Sequence, residues 1–338
     1  MSAQTTQPSP QLFFETITAY QRTAAIKAAI ELDVFTAIAE GKTTAAEIGK
    51  RCGAAERGAR ILCDYLVIHG FLTKQGERYG LTQDSSLFLN RNSPAFVGSA
   101  IEFLASPMVM EGFSLLTEAV RKGGTPKSDG ATTSPENPMW VRFARGMAPL
   151  MRPAAETMAK LVDPGADRPL KILDIAAGHG VFGIAFAKRN SAAEVYAVDW
   201  AAVLEVATEN AESAGVGGRH HKIPGSAFDV DFGTGYDLAL LTNFLHHFDA
   251  STNESLLKKV HSALKSGGRA VTLEFVPNDD RVSPPGSAGF SLSMLAGTPG
   301  GDAYTYKELE RMLLNAGFSK SEMHEIPPMM QGVIVSQK

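Results

Sequence analysis

The stretch Lys171–Gly180 (KILDIAAGHG), followed by Val195–Trp200 (VYAVDW), limits what this chain can fold into more than any other. A short apolar run (Ile172, Leu173, Ile175) carries an acid, Asp174, and enters a glycine-rich loop. The apolar residues of a helix follow, Val181 to Ala187, and then a second apolar run that ends in Asp199. Strand, tight loop, helix and strand make one βαβ unit, with two carboxylates at the carboxyl ends of neighbouring parallel strands. Ligands of open α/β sheets bind at that edge. Gly178-His179-Gly180-Val181-Phe182-Gly183 fits G-x-G-x-x-G, a pattern that dinucleotide sites also use. Charge separates the two ligands. A dinucleotide rests its pyrophosphate on the helix N-terminus, where Asp174, four residues before the first of those glycines, would repel it. The same carboxylate would attract an ammonium group. S-adenosylmethionine (SAM) has an ammonium, a sulfonium and no phosphate, and Asp199 stands where it can accept both ribose hydroxyls. SAM is therefore favoured over NAD. An ordinary strand–turn–helix with capping acids accounts for one acid at a strand end, but not for two flanking a glycine loop.

Asp174-x-Ala176-x-Gly178-x-Gly180 resembles the acid-x-Gly-x-Gly-x-Gly signature of SAM-dependent methyltransferases, with alanine in place of the first glycine. Over nearly its whole length the chain resembles the plant-type small-molecule O-methyltransferases of secondary metabolism, the caffeic acid and acetylserotonin kind, and their bacterial relatives. The resemblance implies an α/β fold: a Rossmann-like SAM-dependent methyltransferase domain with a mostly parallel seven-stranded sheet, behind an N-terminal, mainly α, winged-helix dimerisation domain. We place the dimerisation domain at 1–97, a helical connector contributing to the substrate pocket at 98–164, and the methyltransferase domain at 165–338. The implied cofactor is SAM, leaving as S-adenosylhomocysteine, and the implied partners are a small-molecule acceptor and a second copy of the chain.

The resemblance also implies site residues. Besides Asp174, Ala176, Gly178, Gly180 and Asp199, the expected cofactor contacts are Trp200, Ser226, Ala227, Phe228 and Asn243. Gly225-Ser226 stands where the family has Gly-Asp facing the adenine amino group; Ser226 can accept one hydrogen bond and Phe228 can stack on the purine. His246 matches the catalytic histidine of the family's His-Asp pair, and His247 replaces the aspartate. Glu274, in Thr272-Leu273-Glu274-Phe275, matches the acid that orients that histidine. A second flanking acid would fall on Ala303, with Asp302 one residue away. Met147 and Met294 match the methionines that clamp a planar acceptor, with Phe290 and His247 adding to its wall. The chemistry fits those residue types. A phenol with a pKa near 10 is mostly protonated at neutral pH, and a positioned base contributes roughly 10²- to 10⁴-fold. Methyl transfer to nitrogen or carbon would use the same cofactor site and stays open on these residues.

Composition is that of an ordinary globular protein, 44% hydrophobic and 20% charged, and a net charge of -4 gives no electrostatic pull toward nucleic acid or an anionic membrane. A winged helix could serve a DNA-binding regulator. Ten basic against nine acidic residues up to Arg91 make that domain nearly neutral, however, and a DNA reader should be distinctly basic. Dimerisation is favoured. Met1–Pro10 is polar with no apolar core of a signal peptide, and with only Cys52 and Cys63 a reduced, cytoplasmic setting is expected. His220-His221 has no third ligand at a suggestive spacing, so the pair is read as structural and no metal is expected.

Helical spacing runs from Leu12 to Ile38. Short helices are predicted at 45–52 and 56–69, then two strands around a turn within 71–82, then one apolar helix over 98–122 and a loop over 125–138. A helix over 139–162 is expected to kink or divide at Pro149 and Pro153. Strands are predicted at 171–175, 194–198, 219–223, 236–242, 269–276 and near the C-terminus. Gly300-Gly301 reads as a mobile lid turn, and 304–316 as a helix closing over the site.

Overall fold

The computed structural model describes residues 8–128, 131–163 and 168–338. It divides into two compact units, one running through Ala105 and the other starting at Ser106, a division inside the 98–164 stretch.

In the first unit the helical spacing of 12–38 resolves into three helices, Gln11–Ile17, Tyr20–Glu31 and Val34–Ala39. Asp33 lies in the left-handed region (φ 63°), so the helix before it cannot continue through it. Helices Ala45–Cys52 and Glu56–Ile68 follow, and then the antiparallel hairpin of β1 (Leu72–Gln75) and β2 (Arg78–Leu81). Thr44 caps its helix by accepting from Glu47 N–H while the Glu47 carboxylate accepts from Thr44 N–H, satisfying two otherwise orphaned donors. Phe35, Ile48, Cys63 and Leu66 are fully enclosed in this unit's core. By contrast Leu12, Phe13, Phe14, Ile17 and Tyr20 are each about half exposed or more.

Two expectations about helices fail. The stretch 98–122 is not one helix but a 3-10 turn and three short helices, Ile101–Leu104, Pro107–Ser114 and Leu116–Lys122. Pro107 forces Ser106 into extended backbone (ψ 153°), and Ser106 then caps the next helix by accepting from Val109 N–H. Conversely, Met139–Val162 is one unbroken helix despite Pro149 and Pro153. The two prolines are four apart on one stripe that is half-buried to exposed. The opposite face, with Met147, Met151, Ala155 and Met158, is buried. Packing of that face against Val181–Arg189 and Ala201–Ser213 holds the helix together.

The second unit carries a seven-stranded sheet, ordered β5-β4-β3-β6-β7-β9-β8. The strands are β3 (Leu170–Ile175), β4 (Ala193–Asp199), β5 (His220–Pro224), β6 (Tyr236–Thr242), β7 (Leu264–Phe275), β8 (Lys320–Glu325) and β9 (Gln331–Gln337). The first five are parallel and β9 is antiparallel to both neighbours. Fully buried runs such as Leu238–Leu241 fit strands covered on both faces. The strand order reverses between β3 and β6, which opens a crevice at their carboxyl ends. The helix Tyr306–Asn315 buries Leu309, Met312 and Leu313 in the core beside the sheet. It is a structural layer, not the closing helix expected over 304–316. Among the described residues no helix is long and apolar enough to cross a membrane.

Candidate active site

The glycine loop after β3 takes the left-handed region three times, at Ala176 (φ 52°), Gly178 (φ 56°) and Gly180 (φ 72°). Ala176 replaces a glycine at a cost of roughly 1–2 kcal/mol in backbone strain. Gly183 is required for close approach: a Cβ there would sit 2.6 Å from Val195 and 2.8 Å from the Asp174 carboxylate. That space lets Asp174 Oδ2 accept from Gly183 N–H at 3.0 Å. Asp174 is fully buried, its Oδ1 has no hydrogen-bond partner, and burial pushes its carboxyl up to about 7. It ties the start of the helix Val181–Arg189 to β3 and does not line the cavity beside the loop. The direct contact with an ammonium group expected of Asp174 therefore does not follow, because its side chain is turned toward that helix rather than out past the sheet edge.

The cavity holds about 600 Å³. Of the cofactor residues expected from the sequence, Ala176, Gly178, Asp199, Trp200, the 226–228 segment and Asn243 line it, while Asp174 and Gly180 do not. Asp199 Oδ2 accepts from Gly178 N–H at 2.8 Å and Oδ1 from Trp200 N–H at 2.7 Å. These bonds fix the carboxylate at the end of β4, and burial raises its carboxyl to about 6. Phe228, Phe244 and Phe248 form an aromatic corner, with Phe248 edge-on to the other two at 4.9 and 5.1 Å. A fixed carboxylate beside an apolar aromatic corner suits a nucleoside: the acid for a ribose diol, the rings for a purine. The residues present fit SAM.

At the ends of β6 and β7 the loop 243–248 wraps around Glu274. Its Oε1 accepts from Phe244 N–H at 2.9 Å and Leu245 N–H at 2.8 Å, and its Oε2 lies 2.6 Å from His246 Nδ1. A carboxylate only accepts, so Nδ1 carries the proton and Nε2 is left as the imidazole's acceptor. His246 and Glu274 are 4% and 2% exposed, low enough to keep water from competing for that bond. Asn253 Nδ2 donates to Leu245 and Phe248 carbonyls and pins the turn. Phe290 meets His246 edge-on at 4.9 Å and stacks on Phe275 at 4.0 Å. The second acid considered for this pair is absent: Ala303 is buried, and Asp302 pairs with Arg281 at 3.1 Å.

His246, Glu274, Phe290, Met147 and Met294 all lie off the cavity wall, whereas His247 is on it. His247 is neutral, since burial and the adjoining His246 hold its pKa well below the usual histidine value, and it meets Trp140 edge-on at 5.3 Å. Met147 and Met294 are each buried; Met151 contacts Asn243, with Nδ2 to Sδ at 3.9 Å. His220 and His221 lie on β5, and His221 Nε2 is paired with Glu194 at 2.5 Å. Among the described residues no group of side chains could hold a metal ion.

A model of the O-methyltransferase domain matches residues 113–319, and one of the O-methyltransferase dimerisation domain matches 14–91. The chain belongs to the O-methyltransferase family. A solved structure from Nostoc punctiforme PCC 73102, described as a candidate O-methyltransferase, is 56% identical to it, with a TM-score of 0.94 over 98% of this chain and 100% of that one. The 3-hydroxy-5-methyl-1-naphthoate 3-O-methyltransferase of Streptomyces sahachiroi is 29% identical over 92% of this chain and 90% of its own. Human N-acetylserotonin methyltransferase, solved in complex with SAM, shares the fold at a TM-score of 0.86 over 100% and 99% of the two chains, with 20% identity.

This O-methyltransferase is thus a SAM-dependent transferase. Its cavity also contains residues that sequence reasoning passed over: Trp140, Phe143, His179 and Phe248. Phe248, two residues past the histidine, carried a readable signal, an aromatic at the carboxyl edge. Trp140 and Phe143 form an i, i+3 pair whose cavity face only the packing of their helix reveals.

Proposed function

We propose that this O-methyltransferase methylates a hydroxyl on a small, flat, hydrophobic acceptor, with His246 as general base. The observation that carries the reading is the buried His246–Glu274 pair at the edge that also holds the glycine loop and Asp199. SAM supplies a methyl group on a sulfonium, so the leaving thioether is neutral and the protein needs no acid to assist it. The chain's work is on the acceptor. As the hydroxyl oxygen forms its new bond to carbon, its proton passes to His246 Nε2, and Glu274 Oε2 stabilises the imidazolium through Nδ1–H. The apolar wall of Phe275 and Phe290 beside His246 favours a planar, poorly hydrated acceptor. The hydroxynaphthoate and acetylserotonin named for two of the relatives are of that kind. Met147 and Met294 would complete the wall once an acceptor opens it. An acceptor screen with methyl-labelled SAM tests the reading; labelling of nitrogen or carbon acceptors, and of no phenols, would overturn it.

Asp199 is the proposed holder of the cofactor's ribose. Asp199→Ala should weaken S-adenosylhomocysteine by about 1.5–3 kcal/mol, the worth of hydrogen bonds to a charged group. The sign with pH follows from a carboxyl raised to about 6. Above that value the ionised group accepts from both hydroxyls; below it the neutral acid loses that capacity. Calorimetric affinity should therefore hold from pH 8 to 7 and fall as pH drops through 6, and Asp199→Ala should flatten that decline.

The N-terminal unit is the proposed dimer contact, with 98–164 as connector and 165–338 as the catalytic domain. The exposed stripe from Leu12 to Tyr20 is more apolar surface than a water-facing helix would carry. A second copy covering it would give a two-fold dimer. Light scattering at micromolar concentration should return twice the 36.0 kDa of one chain, and deletion of residues 1–20 should return the monomer. A full-length monomer would sink this assignment.

A further inference from the structure

His179, the residue between two glycines of the loop, is held by both its backbone and its ring. Gly178 and Gly180 on either side have positive φ, and Asn210 Nδ2 donates to the His179 carbonyl at 2.9 Å, so its backbone is held. Its ring is held too. It lies nearly parallel to Phe143, with 17° between planes and centroids 6.1 Å apart, and against Phe182 at 5.8 Å. The residue is 3% exposed and lines the cavity. Nδ1 accepts from Val181 N–H at 3.3 Å, an orphan donor of the helix start. Burial, with Arg152 nearby, holds the imidazole down at about 4, so it is neutral at physiological pH. A neutral ring whose Nδ1 accepts must carry its proton on Nε2. Among the described residues that Nε2–H has no hydrogen-bond partner.

We propose that His179 is a cofactor-positioning residue whose Nε2–H donates to the carboxylate of the cofactor's amino-acid tail. The proposal rests on the reading that SAM occupies the cavity. Asp199 is suited to the ribose and the 228–248 aromatic corner to the purine, which leaves the glycine-loop end for the tail. There the tail offers one strong acceptor, its carboxylate, while its ammonium group offers none. A neutral donor serves this end well, because it binds the carboxylate without adding a buried positive charge beside the tail's own ammonium.

The test compares two ligands that differ only in the tail: S-adenosylhomocysteine, and 5′-methylthioadenosine, which keeps the nucleoside thioether and lacks the amino acid. His179→Phe keeps a ring between Phe143 and Phe182 but removes both nitrogens. It should weaken S-adenosylhomocysteine about tenfold or more by calorimetry and leave 5′-methylthioadenosine within about twofold. His179→Asn keeps an acceptor for Val181 N–H and loses the reach of Nε2. It should melt close to wild type yet show the same selective loss, which separates ligand contact from helix capping. Equal weakening of both ligands, or of neither, overturns the proposal while leaving the cofactor reading intact. Failure of the unmodified protein to bind S-adenosylhomocysteine at all overturns both.

Discussion

Replacing His246 by alanine should lower turnover by roughly 10²-fold or more, with S-adenosylhomocysteine affinity nearly unchanged. The split is expected because His246 lies off the cavity that would hold the cofactor, while its Nδ1 is committed to Glu274. Glu274→Gln should be almost as damaging. Homology alone would place it midway, since an amide keeps one acceptor oxygen. The geometry does not permit that compromise. Glu274 Oε1 accepts from Phe244 and Leu245 N–H groups, so the amide oxygen of glutamine must take that position. Its NH₂ then faces His246 Nδ1, which can only accept from it. The imidazole proton is driven to Nε2, the nitrogen that has to receive the acceptor's proton, and a base in that tautomer is no base. Unaltered turnover in both variants would remove the base from the mechanism and point to an acceptor nucleophilic enough to react through alignment alone.

The same loop shows which parts of the site were legible in the sequence. Strand ends read at 175, 198, 242 and 276, each within one residue of the observed end, follow from apolar runs that stop at polar or glycine-rich stretches. The alignment of Asp199, His246 and Glu274 along one edge therefore follows from topology. What the residue string does not encode is the side on which a side chain leaves its strand. Asp174 and Asp199 are alike as strand-end acids, yet one turns toward a helix and the other into the cavity. His179 carried no signal because a signature defines its glycines and leaves the intervening residue blank. The methionines matched by position, but both are packed away from the open cavity. Pro149 and Pro153 misled for a different reason. Their cost is counted against an isolated helix, whereas this helix is held by a buried methionine and alanine face along its length.

Gly301 is where the sequence reading and the packing part most sharply, and the difference is measurable. A glycine pair reads as freedom to move, yet a Cβ on Gly301 would overlap the His246 carbonyl oxygen and come within 2.8 Å of the His247 carbonyl carbon. Both obstacles are backbone, so neither can rotate away. Retreat of the Gly301 loop is blocked from behind. Thr298 Oγ1 accepts from Gly301 N–H and donates to the Met294 carbonyl, each at 2.8 Å, and the Thr298 carbonyl accepts from Thr125 N–H at 2.8 Å. Gly124 is packed against Pro299 closely enough that a Cβ there would also overlap backbone. With that side anchored, the turn carrying His246 has to yield. A displacement near 1 Å at a positioned catalytic group can cost about 10²-fold in rate. Gly301→Ala should therefore lower turnover on that scale. Gly300→Ala is the control. Its added Cβ would meet only Asp249 Cβ at 3.5 Å, an ordinary contact, so turnover should stay within about twofold. Wild-type turnover in Gly301→Ala would mean that the 298–301 loop gives way instead of the histidine, and would restore the lid that the glycine pair first suggests.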